Sequence, residues 1–496
     1  MDARAVAPAP SHRDGSAGTG SADARRITRN SLYLIAGQLL GRAIGLGYTL
    51  TLARLLGVQD FGLYNLVMGL LAIAITAVDF GLARLVLRDL AREPLSTARY
   101  LATLVPLRVA LALAGYALLL AVVALSGYGQ RTLLLVAISG VTLLPTALGM
   151  LFDVLFHARQ QMRHSAAGDV VLAITQLVVG VGVLLAGGGL EVVLASNILA
   201  ACAYAGYLAR QVRANGEPLP WRPDWRLARE LLVKAAPYAL VTLLAMLASR
   251  TELLLLGALT DAQALGLFSA AAKFPETCLL LPAVFTAAAA PVLAQCHADA
   301  PARLPEVYGW MLRRVLLATL PVALVGVVLA PVVIDTLFGS TYAAAAPLMQ
   351  LLFAGLPLAA AQLVNSAMLT MSNRTRLMIV TALLTTVMQG LLAAWWISHR
   401  GATGAAWSAA LAPGLAFVLV FACLRRWMLG PVALGRQTTG PLLAVAAGAL
   451  ALWALPADWG PWRLLPVLGT YSAVLLVQGA LWPPAARLPA PQAVVA

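Results

Sequence analysis

Long apolar stretches separated by short polar segments run along almost the whole chain. Each stretch has about 20 residues or more, the length that a helix needs to cross a bilayer. All of them are predicted to be helices, because an open sheet would leave backbone groups unpaired in lipid. The pattern predicts fourteen membrane spans, at residues 32–55, 61–83, 99–125, 132–156, 168–187, 191–210, 230–256, 264–290, 311–337, 343–370, 376–398, 403–424, 438–457 and 461–483.

Composition supports an integral membrane protein. Of the 496 residues, 61% are hydrophobic and only 11% are charged, and the mean hydropathy is +0.85. A soluble domain needs about a quarter charged residues to cover its surface, so a soluble protein is excluded. The four cysteines are far apart without a C-x-x-C pair, and the five histidines lie in the N-terminal arm or at span ends and loops. The sequence therefore predicts no metal site and no cofactor.

Basic residues mark the predicted topology. The chain has 34 Lys and Arg against 20 Asp and Glu, and most arginines lie between apolar stretches, where they orient a membrane protein rather than bind nucleic acid. With the N-terminus inside, the cytoplasmic segments hold 26 basic residues and the outer loops hold four. Both termini are therefore predicted to be cytoplasmic. The outer loops are short, which argues against a membrane-bound glycosyltransferase or polymerase and against an enzyme in general.

Polar segments and one internal match predict how the chain is divided. LLGVQDFGLYN at 55–65 aligns without gaps with LTDAQALGLFS at 259–269, and both follow the first helix of a half. The match predicts an all-α membrane fold of about fourteen helices in two pseudo-repeated lobes of seven, as alternating-access transporters commonly have. The predicted regions are a disordered cytoplasmic arm without a signal peptide (1–30), an N-lobe (31–210), a cytoplasmic linker (211–229), a C-lobe (230–424), spans 13 and 14 (425–485) and a tail (486–496).

Three stretches resemble a known family. NSLYLIAGQLLGRAIGLGYTLTLARLLGVQDFGLYNLVMGL at 30–70, DFGLARLVLRDLAR at 79–92 and RTELLLLGALTDAQALGLFSAAAKFPE at 250–276 are similar to the polysaccharide transporter family, the Wzx-type flippases of the MOP superfamily. This resemblance implies a flippase of the bacterial inner membrane that moves an undecaprenyl-pyrophosphate-linked oligosaccharide to the outer leaflet. The implied partners are this lipid-linked substrate, membrane lipids and the polysaccharide polymerase machinery, with no nucleic acid.

Ionisable residues inside the spans are the candidate functional groups, because each costs a few kcal/mol to insert. Arg42 lies near the middle of the first span, and it shares a polar stripe with Gln38 at helical spacing. A guanidinium there can hold a phosphate through two hydrogen bonds. The residues predicted to bind substrate are Arg42, Arg250, Lys273, Arg108 and Gln38. For Arg108 a position at the membrane interface stays open.

Acidic residues are predicted to pair with these cations or to couple ions. Arg250 and Glu252 point about 200° apart on one helix, so Arg250 is expected to face the cavity and Glu252 a neighbouring helix or the outer mouth. Lys273 and Glu276 are spaced to pair on one face, and Asp79 is expected to be a structural partner. The amides of Gln362, Asn365 and Gln389 could bind sugar hydroxyls, although they are expected to hold helices together.

Two further functions stay open on the sequence. A drug/cation antiporter of the MATE type typically needs an acidic cation site, whereas the charges within these spans are mostly basic. The other is a lipid II flippase of the same superfamily, which neighbouring glycosyltransferase genes rather than cell-division genes would argue against. The glycan, the coupling ion and the oligomeric state are not predicted by any residue pattern.

Overall fold

The structure is a computed structural model that describes residues 16–92, 97–216, 223–371, 374–430, 434–455 and 462–481. Within these ranges it consists of helices and short connections, without a β-strand, so the all-α prediction is confirmed. The helices are α1 (Ser16–Asp79), α2 (Leu82–Arg92), α3 (Thr97–Leu125), α4 (Gln130–Gly140), α5 (Leu143–Ala158), α6 (Met162–Leu185), α7 (Leu190–Ala214), α8 (Trp225–Leu259), α9 (Ala262–Cys278), α10 (Leu280–Asp299), α11 (Leu304–Val333), α12 (Ala346–Met371), α13 (Thr375–Leu424), α14 (Leu434–Ala454) and α15 (Leu464–Leu481).

Ten helical stretches in the described residues are long and apolar enough to cross a membrane. The two longest of them, Leu40–Asp79 and Thr375–Leu429, each contain a glycine whose backbone is not helical. These are Gly57 (φ 74°) and Gly401 (φ 53°), which lie where the apolar pattern predicts breaks between spans. A positive φ is available to glycine at little steric cost. The protein is thus a multi-pass membrane protein, and the count of fourteen spans stays a prediction.

The ends of two elements differ from the sequence-based boundaries. Helix α1 begins at Ser16, so residues 16–30 of the expected disordered arm are helical, while residues 1–15 lie outside the described part. This stretch contains alanines and arginines, which favour a helix, and it continues directly into the first apolar stretch. The expected linker is also shorter, because α7 extends to Ala214 and α8 already begins at Trp225.

The start of α8 is fixed by a capping residue. The Asp224 carboxylate accepts hydrogen bonds from the backbone amides of Arg226 and Leu227, which satisfies two of the free donors at this helix end. Arg99 of α3 donates to the same carboxylate at 2.6 Å. The Arg99 guanidinium, together with these amides, holds the pKa of the Asp224 carboxyl below its usual range. The C-terminal half of the chain is therefore tied to α3 where it begins.

Three large apolar clusters hold the helices together. One lies within residues 82–235 and a second within residues 293–471, so each belongs almost entirely to one half of the chain. The largest cluster draws on both halves and includes Leu52, Phe61, Leu256 and Phe338. Burial in this cluster joins the two halves at the end of the molecule where α1 breaks at Gly57.

Close backbone packing and hydrogen bonds close this end, which we call the Gly57 end. A Cβ atom at Gly62 would lie 2.5 Å from the Ala262 carbonyl oxygen and 2.6 Å from the Gly266 amide nitrogen. Gly62 and Gly266 are equivalent positions in the internal sequence match, so the two matched segments contact each other. Arg54 donates to the carbonyl oxygens of Thr336 and Leu337, in the helical turn Ile334–Phe338 that follows α11.

Candidate functional site

A cavity of about 240 Å³ lies between the two halves of the chain, next to the closed Gly57 end. Its walls come from α1 beyond Gly57 and from α8, α9, α12 and α13. Four charged side chains line it, namely Arg250 and Glu252 from α8 and Lys273 and Glu276 from α9. We call this space the charged cavity. The sequence singled out all four residues, and the structure brings them together.

Arg250 presents its guanidinium to the charged cavity. Its Nη1 lies 3.7 Å from Oε1 of Glu276, whose side chain is half exposed. Its Nε is buried without a hydrogen-bond partner among the described residues. Gly69 of α1 packs against α8 at this level, where a Cβ atom would lie 2.7 Å from Leu253 Cδ2. The guanidinium therefore keeps an unused donor beside a weakly held counter-ion.

Lys273 stands one turn before Glu276 on α9 and lines the same cavity. The spacing predicted an ion pair between these two residues, but within the described chain the Lys273 ammonium forms neither an ion pair nor a hydrogen bond, and Glu276 lies beside Arg250. Ser269, one turn further back, has a buried hydroxyl that also lacks a partner in the described structure. α9 thus adds an unpaired cation and an unused hydroxyl to the cavity wall.

Glu252 is buried, with 5% of its surface exposed. Its carboxylate accepts hydrogen bonds from Gln389 Nε2 at 3.0 and 3.2 Å and from Ser408 Oγ at 3.1 Å. Both partners belong to α13, which agrees with the expected neighbouring-helix contact. The Gln389 amide donates to an acceptor on α8, so it holds two helices together as predicted. Glu252 links α8 to α13 and lies beside Arg250 without pairing with it.

Arg108 lies outside the charged cavity. It is 1% exposed, and its Nη2 lies 2.7 Å from Oδ1 of Asp79, while Nη1 donates to the Val78 carbonyl oxygen at 3.3 Å. An arginine buried in this way needs a carboxylate partner, because the desolvation of an unpaired charge is costly. The placement favours an ion pair that ties α3 to the end of α1 over the substrate contact expected for Arg108. It agrees with the structural role expected for Asp79.

Arg42 and Gln38 lie on α1 before the break at Gly57. Arg42 is exposed and is not among the described residues that line the charged cavity. Fifteen residues separate it from Gly57, which at about 1.5 Å per residue places it roughly 22 Å from the closed end. Gln38 belongs to the same helix, but its side chain lies outside the described part. Arg42 therefore lies farther from the Gly57 end than Asn65 and Gly69 do.

Several lining residues carry no strong signal in the sequence. Asn65, Ser249 and Ser269 are single polar residues in apolar helices, a pattern that also occurs where helices merely pack. Of the three, only Ser269 shares a helix face with one of the two cavity cations at helical spacing, since it lies four residues before Lys273. Asn365 holds α12 to its neighbours, because Tyr308 donates to its carbonyl oxygen and its amide donates to the Phe417 carbonyl oxygen.

The charged cavity is suited to an anion. Two cationic side chains that make no hydrogen bond to any described residue line this space. A phosphate or diphosphate offers several oxygen acceptors to such groups. Across the described residues, no group of three or more His, Cys, Asp or Glu side chains is placed to hold a metal ion. The arrangement can bind and release a charged group, and it shows no nucleophile activated by a general base.

Comparisons with known structures support a transporter fold. The lipid II flippase MurJ in an inward closed conformation aligns with 90% of this chain and 99% of its own, with a TM-score of 0.73 at 12% identity. An inward-facing multidrug resistance MATE family transporter aligns with 78% of this chain and 94% of its own, with a TM-score of 0.65 at 14% identity. A MOP superfamily transporter from Pyrococcus furiosus aligns with 81% and 95%, with a TM-score of 0.60 at 16% identity.

Sequence comparison supplies the family. No curated protein matches the chain in a direct sequence search. A family model described as "Polysaccharide biosynthesis protein" matches residues 51–347, which is more than half of the chain and includes both matched segments and all four charged cavity residues. Together with the fold, this match supports the coarser prediction of a membrane transporter rather than an enzyme. The chain belongs to the polysaccharide biosynthesis protein family and has the fold of MOP superfamily transporters.

Proposed function

We propose that this protein moves a polyprenyl-diphosphate-linked oligosaccharide from the inner to the outer leaflet of a bacterial inner membrane, for surface polysaccharide biosynthesis. The observation that carries the proposal is the charged cavity between the two halves of the chain, where the side-chain cations of Arg250 and Lys273 make no hydrogen bond to any described residue. A diphosphate is the part of such a lipid that most needs a cationic site within the membrane. The family match favours a saccharide substrate.

In this proposal the two cations of the charged cavity hold the diphosphate, and its polyprenyl chain remains in the surrounding lipid. Arg42, exposed on α1 and farther from the Gly57 end, contacts the diphosphate as it enters, together with Gln38. Both termini are on the cytoplasmic side, so the Gly57 end faces outward and the substrate enters from the cytoplasmic leaflet. The two halves then move as lobes to open the Gly57 end.

Glu252 is proposed to couple ions or protons to this cycle. Its buried carboxylate is next to Arg250 on α8, and its hydrogen bonds reach Gln389 and Ser408 on α13. A change in its charge would alter the contact between α8 and α13 on one wall of the charged cavity.

The test is complementation of a host strain that lacks the gene. Arg250→Gln and Lys273→Gln are each expected to reduce surface polysaccharide at least tenfold and to trap lipid-linked oligosaccharide on the cytoplasmic leaflet, because each removes a cation from the diphosphate site. Arg400→Gln is the matched control, since Arg400 is exposed and stacks on Trp396 outside the cavity. Normal export by both cavity variants at equal protein level would refute the proposal, as would intact polysaccharide with altered resistance to cationic drugs in the deletion strain.

A further inference from the structure

A second cavity, of about 260 Å³, lies between α8, α12 and α13. It is stacked on the charged cavity along two shared helices. α8 contributes Arg250 to the charged cavity and Thr242 to the second cavity. α12 likewise contributes Ala359 to the charged cavity and Gln362 to the second cavity. Eight residues of helix separate Thr242 from Arg250, which corresponds to about 12 Å. The two cavities therefore lie within the length of one elongated ligand.

The polar groups of the second cavity are uncharged. Six Ser and Thr side chains and the Tyr238 phenol line it, and none of its described lining residues carries a charge. We call it the hydroxyl cavity. Its six Ser and Thr residues are Thr242, Ser366, Thr370, Thr381, Thr385 and Thr386. The contrast with the charged cavity indicates two subsites of different chemistry on the same helices.

The six Ser and Thr hydroxyl groups are already committed as donors. Each donates its proton to a backbone carbonyl oxygen four residues earlier on its own helix, as Thr370 does to Ser366 and Thr385 does to Thr381, both at 2.8 Å. A hydroxyl has one proton and two lone pairs, so these groups face the cavity only as acceptors. Gln362 accepts a hydrogen bond from Asn365, and its own amide makes no hydrogen bond to any described residue. The hydroxyl cavity thus offers many acceptors and two donor groups, the Gln362 amide and the Tyr238 phenol.

We propose that the hydroxyl cavity binds an uncharged sugar of the transported lipid while the charged cavity holds the adjacent diphosphate. This inference rests on the proposed function. It adds where the first sugars bind and that they are uncharged. A sugar hydroxyl is a donor as well as an acceptor, so it matches a surface of acceptors. A uronic acid does not fit, because the cavity has no cation to offset its carboxylate. The approximately 12 Å offset matches a diphosphate followed by one or two sugar rings.

The experiment measures the binding of two lipids to the full-length protein in lipid nanodiscs. The probes are undecaprenyl diphosphate and undecaprenyl diphosphate carrying N-acetylglucosamine. The test variant is Thr242→Val combined with Thr385→Val, which removes two acceptors and retains the side-chain shape. Thr319→Val is the matched control, because Thr319 is buried in α11 with the same kind of carbonyl hydrogen bond outside both cavities.

The wild type is expected to bind the sugar-bearing lipid more tightly, and the double variant is expected to lose about tenfold of that affinity. Each lost hydrogen bond weakens binding roughly two- to tenfold. Affinity for the sugar-free lipid should stay unchanged in the double variant, which also shows that the variant is folded. Thr319→Val should bind both lipids as the wild type does.

Three outcomes would overturn this inference. They are equal wild-type affinity for the two lipids, equal losses for both lipids in the double variant, and tighter binding of both lipids by that variant, which would indicate an apolar chain in the cavity. Arg250→Gln separates the two proposals. If it weakens the binding of both lipids while the wild type does not distinguish them, the proposed function stands and only the sugar site fails. If the wild type binds neither lipid, both fail.

Discussion

In the charged cavity, Nη1 of Arg250 lies 3.7 Å from Oε1 of Glu276. At this distance their attraction is weak enough for a ligand to replace it. Glu276 is half exposed, so its charge is partly screened and contributes little to holding the fold. If the proposed function holds, a diphosphate that enters the cavity has to displace this carboxylate from the guanidinium. At the scale of single residues, Glu276 therefore competes with the ligand for the Arg250 guanidinium.

Glu276→Gln is expected to raise the affinity for inorganic pyrophosphate about fivefold, because an exposed pair of this kind contributes roughly 1 kcal/mol or less. Isothermal titration of the detergent-purified protein measures it. Glu230→Gln is the control, since Glu230 pairs with Lys234 on the exposed first turns of α8. The gain should vanish when Arg250→Gln is present as well. A gain that persists in this double variant would show that Glu276 repels pyrophosphate by its charge alone, and not by occupying Arg250.

Two glycines allow α1 and α9 to pack closely against each other. Gly62 of α1 and Gly266 of α9 allow the backbones of the two matched segments to touch, and a side chain at either position would meet backbone atoms that cannot rotate away. Small residues of this kind permit close helix approach in membranes, where packing drives helix association. At the scale of elements, this contact fixes how α1 and α9 enclose the charged cavity.

Gly62→Ala is expected to lower the apparent melting temperature in detergent by several degrees, because a methyl group there forces the backbones apart at a cost of about 1–3 kcal/mol. Gly47→Ala provides the comparison within α1, since a Cβ atom at Gly47 would have no neighbouring atom within 4 Å. The melting temperature of that variant should equal or slightly exceed that of the wild type, because alanine stabilises a helix more than glycine does. Equal melting temperatures for the two variants would refute the predicted contact.

The molecule as a whole is closed at one end. Arg54 holds the helical turn that follows α11, Tyr342 donates to the Ala53 carbonyl oxygen, and the rings of Phe61, Phe338 and Tyr342 pack edge to face or tilted beside them. Except for the contact between the Phe338 and Tyr342 rings, these contacts join the first part of the chain to the second. Alternating access requires them to break together, since a ligand can leave on this side only if the two halves separate.

A covalent link across this end is expected to abolish transport. The variant carries Arg54→Cys and Thr336→Cys after replacement of the four native cysteines, and a short bifunctional maleimide joins the two positions. Surface polysaccharide export should fall to the level of the deletion strain after cross-linking. Each single-cysteine variant treated with the same reagent should export normally. Normal export by fully cross-linked protein would show that the Gly57 end does not open.

Much of the site was visible in the sequence because charge is rare in an apolar chain. Arg250, Glu252, Lys273 and Glu276 stand out in helices that have little other reason to carry them, and all four line one cavity. Their partners could not be predicted. Glu252 binds Gln389 and Ser408, which are 137 and 156 residues away, and helical spacing describes neighbours only along one helix.

Apolar length and glycine placement by themselves determined an all-helical membrane protein with breaks at Gly57 and Gly401, because lipid leaves the backbone no other way to satisfy its hydrogen bonds. Tertiary structure decided which charges are paired and which are free. Arg108 and Lys273 are both single cations in apolar helices, yet one is buried against Asp79 and the other is unpaired in the described chain beside a cavity. That difference depends on which helices meet, and packing between distant segments of the chain sets it.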